Sequence, residues 1–426
     1  MYTLASGVRP PGTRPSHAPN RLAWLDTLRI VLTVLVVVHH AAQPYGPADW
    51  WYVEGQPRNP ALATLSAVGG TFAMSLFFFV SAVFVPASYE RRGGWSFVKG
   101  RLVRLGIPVV VGAVTIVPGL MYAYYVHYRG YPPVSFARYF TDVYLGLGEK
   151  PADWTGPSWP DLQFGHLWFI QNLLAYTLLY VLLRVLCRET AQLIRRHRDT
   201  PRPPRTTELP TPTPTPVPGH RALLALTAGI AVATFLVRLR YPLDTWVPFL
   251  DFLQVEPARL PQHATFFTLG VLAHRYDWLS RFDARTGWMW LSGGLLGVAV
   301  LSAVGADAAS FGPGGLDGPS ALWAAYESAL CVALCAGTLT LFREAAGKAT
   351  TNTTTTVPGP LAKELAASSY AVYIVHLPMV VTVQYYLADR GLTAATAWAT
   401  AALTGVPAAF ALAAGLRRLP LLRRVL

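Results

Sequence analysis

The chain has 426 residues, 53% of them hydrophobic and only 13% charged, with a mean hydropathy of +0.35 and a formal net charge of +13. Soluble domains carry roughly 25% charged residues, so the polar material needed to cover a water-facing surface is missing, which excludes an ordinary soluble fold and makes lipid the natural solvent. The positive charge does not point to nucleic acid: it sits in short clusters between apolar stretches, the pattern that orients membrane helices, and no folded basic domain carries it.

Residues 1–20 are rich in Pro, Arg and Ser and lack the apolar core of a cleaved signal, so they read as a disordered cytoplasmic tail. Apolar stretches follow near 28–44, 66–88, 103–125, 164–187, 221–239, 260–274, 288–305, 320–342, 366–387 and 394–416. Most can cross a hydrocarbon core of about 30 Å at about 1.5 Å per residue. The 260–274 stretch is the weakest, being short and interrupted by Gln262, His263 and His274. The predicted fold is an all-α polytopic membrane bundle of about ten transmembrane helices with both termini cytoplasmic, its membrane domain spanning 21–416 and a basic cytoplasmic tail at 417–426.

Loop charge supports that count. With the N-terminus inside, the inner loops hold Arg91, Arg92, Lys99, Arg101 and Arg104, then seven arginines between Arg184 and Arg205, then Arg275, Arg281 and Arg285, then Arg343, Lys348 and Lys363. The outer stretch 306–319 has Asp307 and Asp317 and no Lys or Arg. An odd number of spans would put a basic cluster outside. A Pro/Thr-rich segment at 198–219 reads as an extended cytoplasmic linker, and 349–359 (ATTNTTTTVPG) as a flexible loop. The outer loop 126–163 holds Tyr128, Tyr131, Tyr139, Tyr144, Trp154 and Trp159, which fit either a sugar-binding surface or an interfacial aromatic belt. Cys187, Cys331 and Cys335 lie in or beside apolar helices with neither metal spacing nor a disulfide framework. Neither a metal site nor a Gly-rich nucleotide loop is expected.

Polar side chains at membrane depth are costly and therefore candidates for function. The first span, RLAWLDTLRIVLTVLVVVHHAAQPYG, carries Asp26, Arg29, His39 and His40. Arg29 and His40 are eleven residues apart, so they share a helix face to within about 20° and are separated by about 16 Å along the axis; His39 points about 100° away. A guanidinium near the cytoplasmic face can grip phosphate, and an imidazole deeper in can take a proton from a hydroxyl. Equally, Arg29 paired with Asp26 can be a simple interfacial anchor.

Five segments together resemble the acyltransferase family 3 membrane proteins, in particular the glucan biosynthesis protein C (glucan succinyltransferase) branch. They are Arg29-x10-His40 after LDTLR; FFFVSAVFVPASYERRG (77–93), with Ala82 where the family's Phe-Phe-x-x-Ser-Gly segment has glycine; FVKGRLVRLGIP (97–108); GHLWFIQNLL (165–174); and SSYAVYIVHLPMV (368–380). The resemblance extends over most of 21–416. It implies a multi-pass cell-membrane enzyme that moves an acyl group, acetyl or succinyl, from cytoplasmic acyl-CoA to a hydroxyl of a carbohydrate or glycan outside. Acetyl-CoA or succinyl-CoA would be a substrate and no cofactor would be permanently bound; membrane lipid and the glycan would be the other partners. By matching position, His40 and Arg29, with Asp26 beside it, fall on the catalytic motif, and Arg101 and Arg104 on the second basic motif. Arg101, Arg104 and Ser81 are the expected donor side, although the two arginines also suit positive-inside anchors and Ser81 a helix–helix bond. His166, Trp168 and His376 are the expected acceptor side, with a structural histidine the competing role for His376. A transporter exporting a carbohydrate or an acylated product is the alternative function, although the two halves show no convincing internal repeat.

Overall fold

The computed structural model describes residues 23–46, 50–156, 158–197, 216–249, 253–305, 308–312, 314–352 and 359–426. The tail at 1–20, the linker as far as 215 and residues 353–358 of the Thr-rich loop lie outside the described residues. Ten helices carry the architecture: α1 Ala23–Ala42, α2 Pro60–Val83, α3 Ile107–Tyr128, α4 Trp168–His197, α5 His220–Arg238, α6 Leu260–Arg275, α7 Ala284–Ala303, α8 Gly318–Asn352, α9 Pro360–Leu387 and α10 Ala394–Arg418. Among the described residues, strands are confined to one antiparallel hairpin, β1 Val247–Phe249 with β2 Leu253–Val255, in the register Val247↔Val255.

Local chemistry sets several helix starts. Asn59 accepts from Ala61 N at 2.9 Å just ahead of Pro60, Asp283 accepts from Thr286 N at 2.7 Å, and Thr393 accepts from Thr396 N at 3.2 Å. Between α2 and α3 the chain makes two short helices, Val85–Arg92 and Gly94–Arg101, broken at Gly93, whose φ of 77° suits only glycine. The second short helix continues into α3 through a π-turn at Leu102–Gly106. The helix α8 runs on through Asn352, so the first residues expected in the Thr-rich loop are helical instead. The C-terminal segment is anchored, not free: Arg417 donates to Glu364 Oε1 at 2.7 Å and to Ser368 Oγ at 2.9 Å.

Among the described residues, nine helices are long and apolar enough to cross a membrane, and α6 is the one that falls short. Its 16 residues rise only about 24 Å. The chain nevertheless crosses there. Gln262 donates to Thr71 O at 2.6 Å and to Ser75 Oγ at 2.8 Å, while Gly270 lies against Phe79, so α6 runs parallel to α2. The start of α5 and the start of α7 lie together, with His220 Nδ1 accepting from Trp290 Nε1 at 3.1 Å. Because α5 leaves that face and α7 leaves it again, α6 must return the chain to it. The β-hairpin and the 3₁₀ turn Pro257–Arg259 make up the missing depth. The turn is backboned by charge: Arg259 Nε meets Glu256 Oε1 at 3.1 Å, and both Arg259 and Arg238 bond Glu327 on α8. Ten crossings among the described residues put the start of α1 and the end of α10 on one side, the side that carries the basic loops.

The core is built on α1, α2 and α9, whereas α5 and α7 are peripheral: 67% of the apolar stretch of α2 is buried against 17% for α5 and for α7. The backbones of α2 and α6 approach closely because Gly270 has no side chain. A methyl there would collide with the Phe79 carbonyl oxygen and stand 2.8 Å from Ala82 Cβ. Ala82, the departure from the family pattern, thus fits against a glycine on the opposing helix. Gly270→Ala should therefore overpack this contact and cost about 1–3 kcal/mol, read as a lower thermal unfolding midpoint in detergent. Gly229→Ala on α5, where nothing lies within 4 Å, is the matched control and should leave the midpoint unchanged.

Candidate active site

The face of α1 shared by Arg29 and His40 also carries Leu25, Leu32, Thr33 and Val36, all buried, so it faces the bundle and not lipid. At the far end of this face His40 meets α9: His40 Nδ1 and His376 Nε2 lie 2.9 Å apart. The other nitrogen of His376, Nδ1, stands 2.8 Å from Tyr373 O and 3.2 Å from Val372 O. Two carbonyls accept only, so Nδ1 of His376 must carry its proton. With neutral imidazoles, the form that buried membrane sites favour, Nε2 of His376 is then the acceptor and His40 Nδ1 the donor. That tautomer, assigned from the network, leaves the lone pair of His40 on Nε2, which makes no hydrogen bond among the described residues.

His166 completes the group. It sits in the 3₁₀ turn Gly165–Leu167 just before α4, where Gly165 takes a φ of 47°. Its Nε2 donates to Ile374 O at 2.9 Å, its ring centroid lies 5.3 Å from that of His376, and its carbonyl accepts from the Tyr373 hydroxyl. Two residues that the sequence reading passed over hold His40 in place. Gln384 donates to His40 O at 3.0 Å and Ala41 O at 3.2 Å, and accepts from Trp51 Nε1 at 2.8 Å. Trp51 stacks on the His40 ring at 5.7 Å and 19°. The Trp-Trp pair at 50–51, directly after the first span, was the available signal for this contact.

From His40 an aromatic path leads to the surface away from the basic side. Trp51 meets Tyr52 at 5.3 Å, Tyr52 meets Trp50 at 5.0 Å, Trp50 meets Tyr124 at 5.1 Å, and Tyr124 meets Tyr128 at 5.8 Å. Trp50 is 39% exposed, and Tyr124 donates to the exposed Glu54 carboxylate at 2.6 Å. The expected aromatic loop at 126–163 is mostly occupied with itself. Tyr139 and Tyr144 are fully buried, Tyr131 stacks on Trp154, and Arg129 lies over Trp154 while bonding Asp161 at 2.9 Å. Burial pushes the Asp161 carboxyl up to about 6, against the opposing pull of Arg129 and the Tyr139 hydroxyl, so this cluster ties the loop down.

The remaining candidates separate by depth. Arg29 pairs with Asp26 at 3.3 Å, both partly exposed near the start of α1. His39 lies beside Gly69 and Gly70 on α2, so Ser81, about eleven residues further along the antiparallel α2, is half-buried near the depth of Arg29 and far from the histidines. Arg101 stacks over Phe97 at 5.0 Å, and the Arg104 carbonyl accepts from the Tyr370 hydroxyl at the π-turn. The structure therefore brings His40, His166 and His376 together and leaves Arg29, Arg101, Arg104 and Ser81 on their basic side. The Trp168 ring turns to the neighbouring layer, stacking on His263 at 5.5 Å beside Trp246.

Gln384 ties α1, α9 and the 43–59 connection into one unit. Gln384→Leu should leave two carbonyls and an indole N–H unpaired, at about 1–3 kcal/mol for each such buried group. The expected result is a lower unfolding midpoint together with reduced turnover, measured on the same detergent preparation.

No curated protein and no solved structure matches the chain. The family model Acyl_transf_3, described as an acyltransferase domain, matches residues 22–418. That span takes in all ten helices and the histidine group between them, which decides between acyl transfer and export: the chain belongs to the acyltransferase 3 family and is a multi-pass membrane acyltransferase.

Proposed function

We propose that the protein is a cell-membrane O-acyltransferase that moves an acetyl or succinyl group from cytoplasmic acyl-CoA to a hydroxyl of a carbohydrate or glycan on the other side. Acceptors of the glucan type are the first to try, because the His166–Phe169 segment resembles the glucan-modifying branch. The observation that carries this reading is the His40–His376 bond at 2.9 Å, with Nδ1 of His376 committed to backbone carbonyls.

In this reading His40 Nε2 accepts the proton of the acceptor hydroxyl as the oxygen attacks the thioester carbonyl. The tetrahedral intermediate collapses with loss of the CoA thiolate, which recovers the proton from His40. His376 acts on His40 alone, accepting from Nδ1 so that the lone pair faces the substrate. Arg29, Arg101 and Arg104 lie on the basic side and suit the phosphates of the donor. Trp50 and Tyr128 present ring faces suited to a sugar, and Glu54 an acceptor for its hydroxyls.

Acyl transfer is followed by thiol release from acetyl-CoA or succinyl-CoA as candidate glycans are added to purified protein. His40→Ala should lower kcat by about 10²–10⁴ in protein that still folds; full activity in a folded His40→Ala protein overturns the proposal. His376→Gln, whose amide oxygen can still accept from His40 Nδ1, should retain more activity than His376→Phe. The two should differ in kcat, with KM little changed. Trp50→Ala should raise KM for the glycan and leave KM for the acyl-CoA alone.

A further inference from the structure

Away from the histidines, a cavity of about 240 Å³ lies between α1, α2, α5, α6, α8 and the short helix Trp278–Arg281. Its wall residues fix its depth. Leu223 and Leu226 are in the first turns of α5, Leu269 and Ala273 in the last turns of α6, and Leu339 late in α8. All belong to the half of the bundle nearest the basic loops. Those walls are apolar, and the one cation among them, Arg343, is already engaged with Leu279 O, Phe282 O and Glu344. Apolar cavities of this kind stay dry or take an apolar guest.

Two further features specify the guest. The indole Nε1 of Trp278, on the cavity wall, is buried and has no hydrogen-bond partner among the described residues. A buried donor of this kind needs an acceptor, and an ester or phosphate oxygen is one. Around this level stand the exposed arginines Arg221, Arg275 and Arg285, which favour anionic headgroups. The volume is below the roughly 300–1,000 Å³ of a drug-sized ligand site, so it admits one chain and no headgroup. The peripheral placement of α5, with only 17% of its apolar stretch buried, puts the cavity next to lipid.

We propose that this cavity binds one acyl chain of an anionic phospholipid from the basic-side leaflet, with an ester oxygen at the Trp278 N–H and the phosphate outside the cavity, toward Arg221, Arg275 and Arg285. This site is independent of the reaction assigned to His40. The test uses the full chain in nanodiscs of anionic phospholipid carrying a diazirine in one acyl chain, with adducts mapped by peptide mass spectrometry. Adducts should concentrate on 222–226, 266–273 and 332–340. Ala336→Phe projects a ring into the cavity and displaces methylenes, which should cut those adducts about tenfold. Ala222→Phe fills it from the other side and serves if the first variant fails to fold. Adducts spread evenly over lipid-facing positions such as Leu295 and Val300, and unmoved by either variant, overturn the proposal. So does displacement of the phospholipid label by a long-chain acyl-CoA, which would make the cavity a donor site. Loss of acyl transfer in His40→Ala with unchanged crosslinking separates the two readings.

Discussion

The hydrogen bond between His40 and His376 is the constraint on which the rest of the site depends. An imidazole offers one lone pair and one proton, and which nitrogen carries which is decided by the groups around it. Here the decision begins in the backbone of α9: the carbonyls of Tyr373 and Val372 hold the proton on one nitrogen of His376, so its other nitrogen accepts from His40. A helix normally leaves such carbonyls to its own amide ladder; their second lone pairs are free to take a side-chain donor. The same helix fixes the surroundings. Tyr370 reaches the π-turn before α3, Tyr373 reaches the carbonyl of His166, and Gln384 clamps the last carbonyls of α1. One helix therefore sets the position of all three histidines and the register of the basic motif below them.

The spans were legible because lipid enforces a simple rule: every backbone group must be paired within the segment, so an apolar run of sufficient length must be a helix. The rule weakened at α6, where a charged turn and a hairpin complete a crossing that the helix alone is too short to make. Arg259, Glu256, Arg238 and Glu327 neutralise one another inside the bundle, and hydropathy cannot recognise a buried pair from its members. The shared face of Arg29 and His40 was legible from helix period alone. The partner of His40 was not, because the two histidines are 336 residues apart in the chain and nothing in the periodicity of α9 says which helix it will meet. The resemblance put His376 on the acceptor side, with a structural histidine as the competing role, and the structure adds its contact with His40. Trp51 and Gln384 escaped notice for the same reason: their meaning lies in each other. The aromatic content of the loop at 126–163 suits either a sugar-facing surface or an interfacial belt; Arg129, Asp161 and Tyr139 draw those rings into a packed unit of their own, while the exposed rings nearest His40 come from the shorter 43–59 connection.

Charge in this protein is sorted by depth, and the sorting gives the site a direction. Arg29, paired with the exposed Asp26, and Arg101, stacked over Phe97, stand toward the basic side. Carboxylates and arginines deeper in are bonded to each other. The histidines lie at about the depth of the Arg259–Glu256 turn, since His39 and Gln262 meet neighbouring turns of α2, and beyond them the lining is aromatic with an exposed carboxylate at Glu54. In the proposed reaction a polyanionic donor suits the basic side and a neutral, ring-faced acceptor the aromatic one. The proposed reaction joins substrates from two compartments and needs that asymmetry, since a base open equally to both sides would also pass water to the thioester. The stacking of Trp51 on the His40 ring and the bonds of Gln384 to the His40 and Ala41 carbonyls fix both the ring and the backbone that carries it, so in the proposed reaction the base is held by the contacts that join α1 to α9 and to the 43–59 connection.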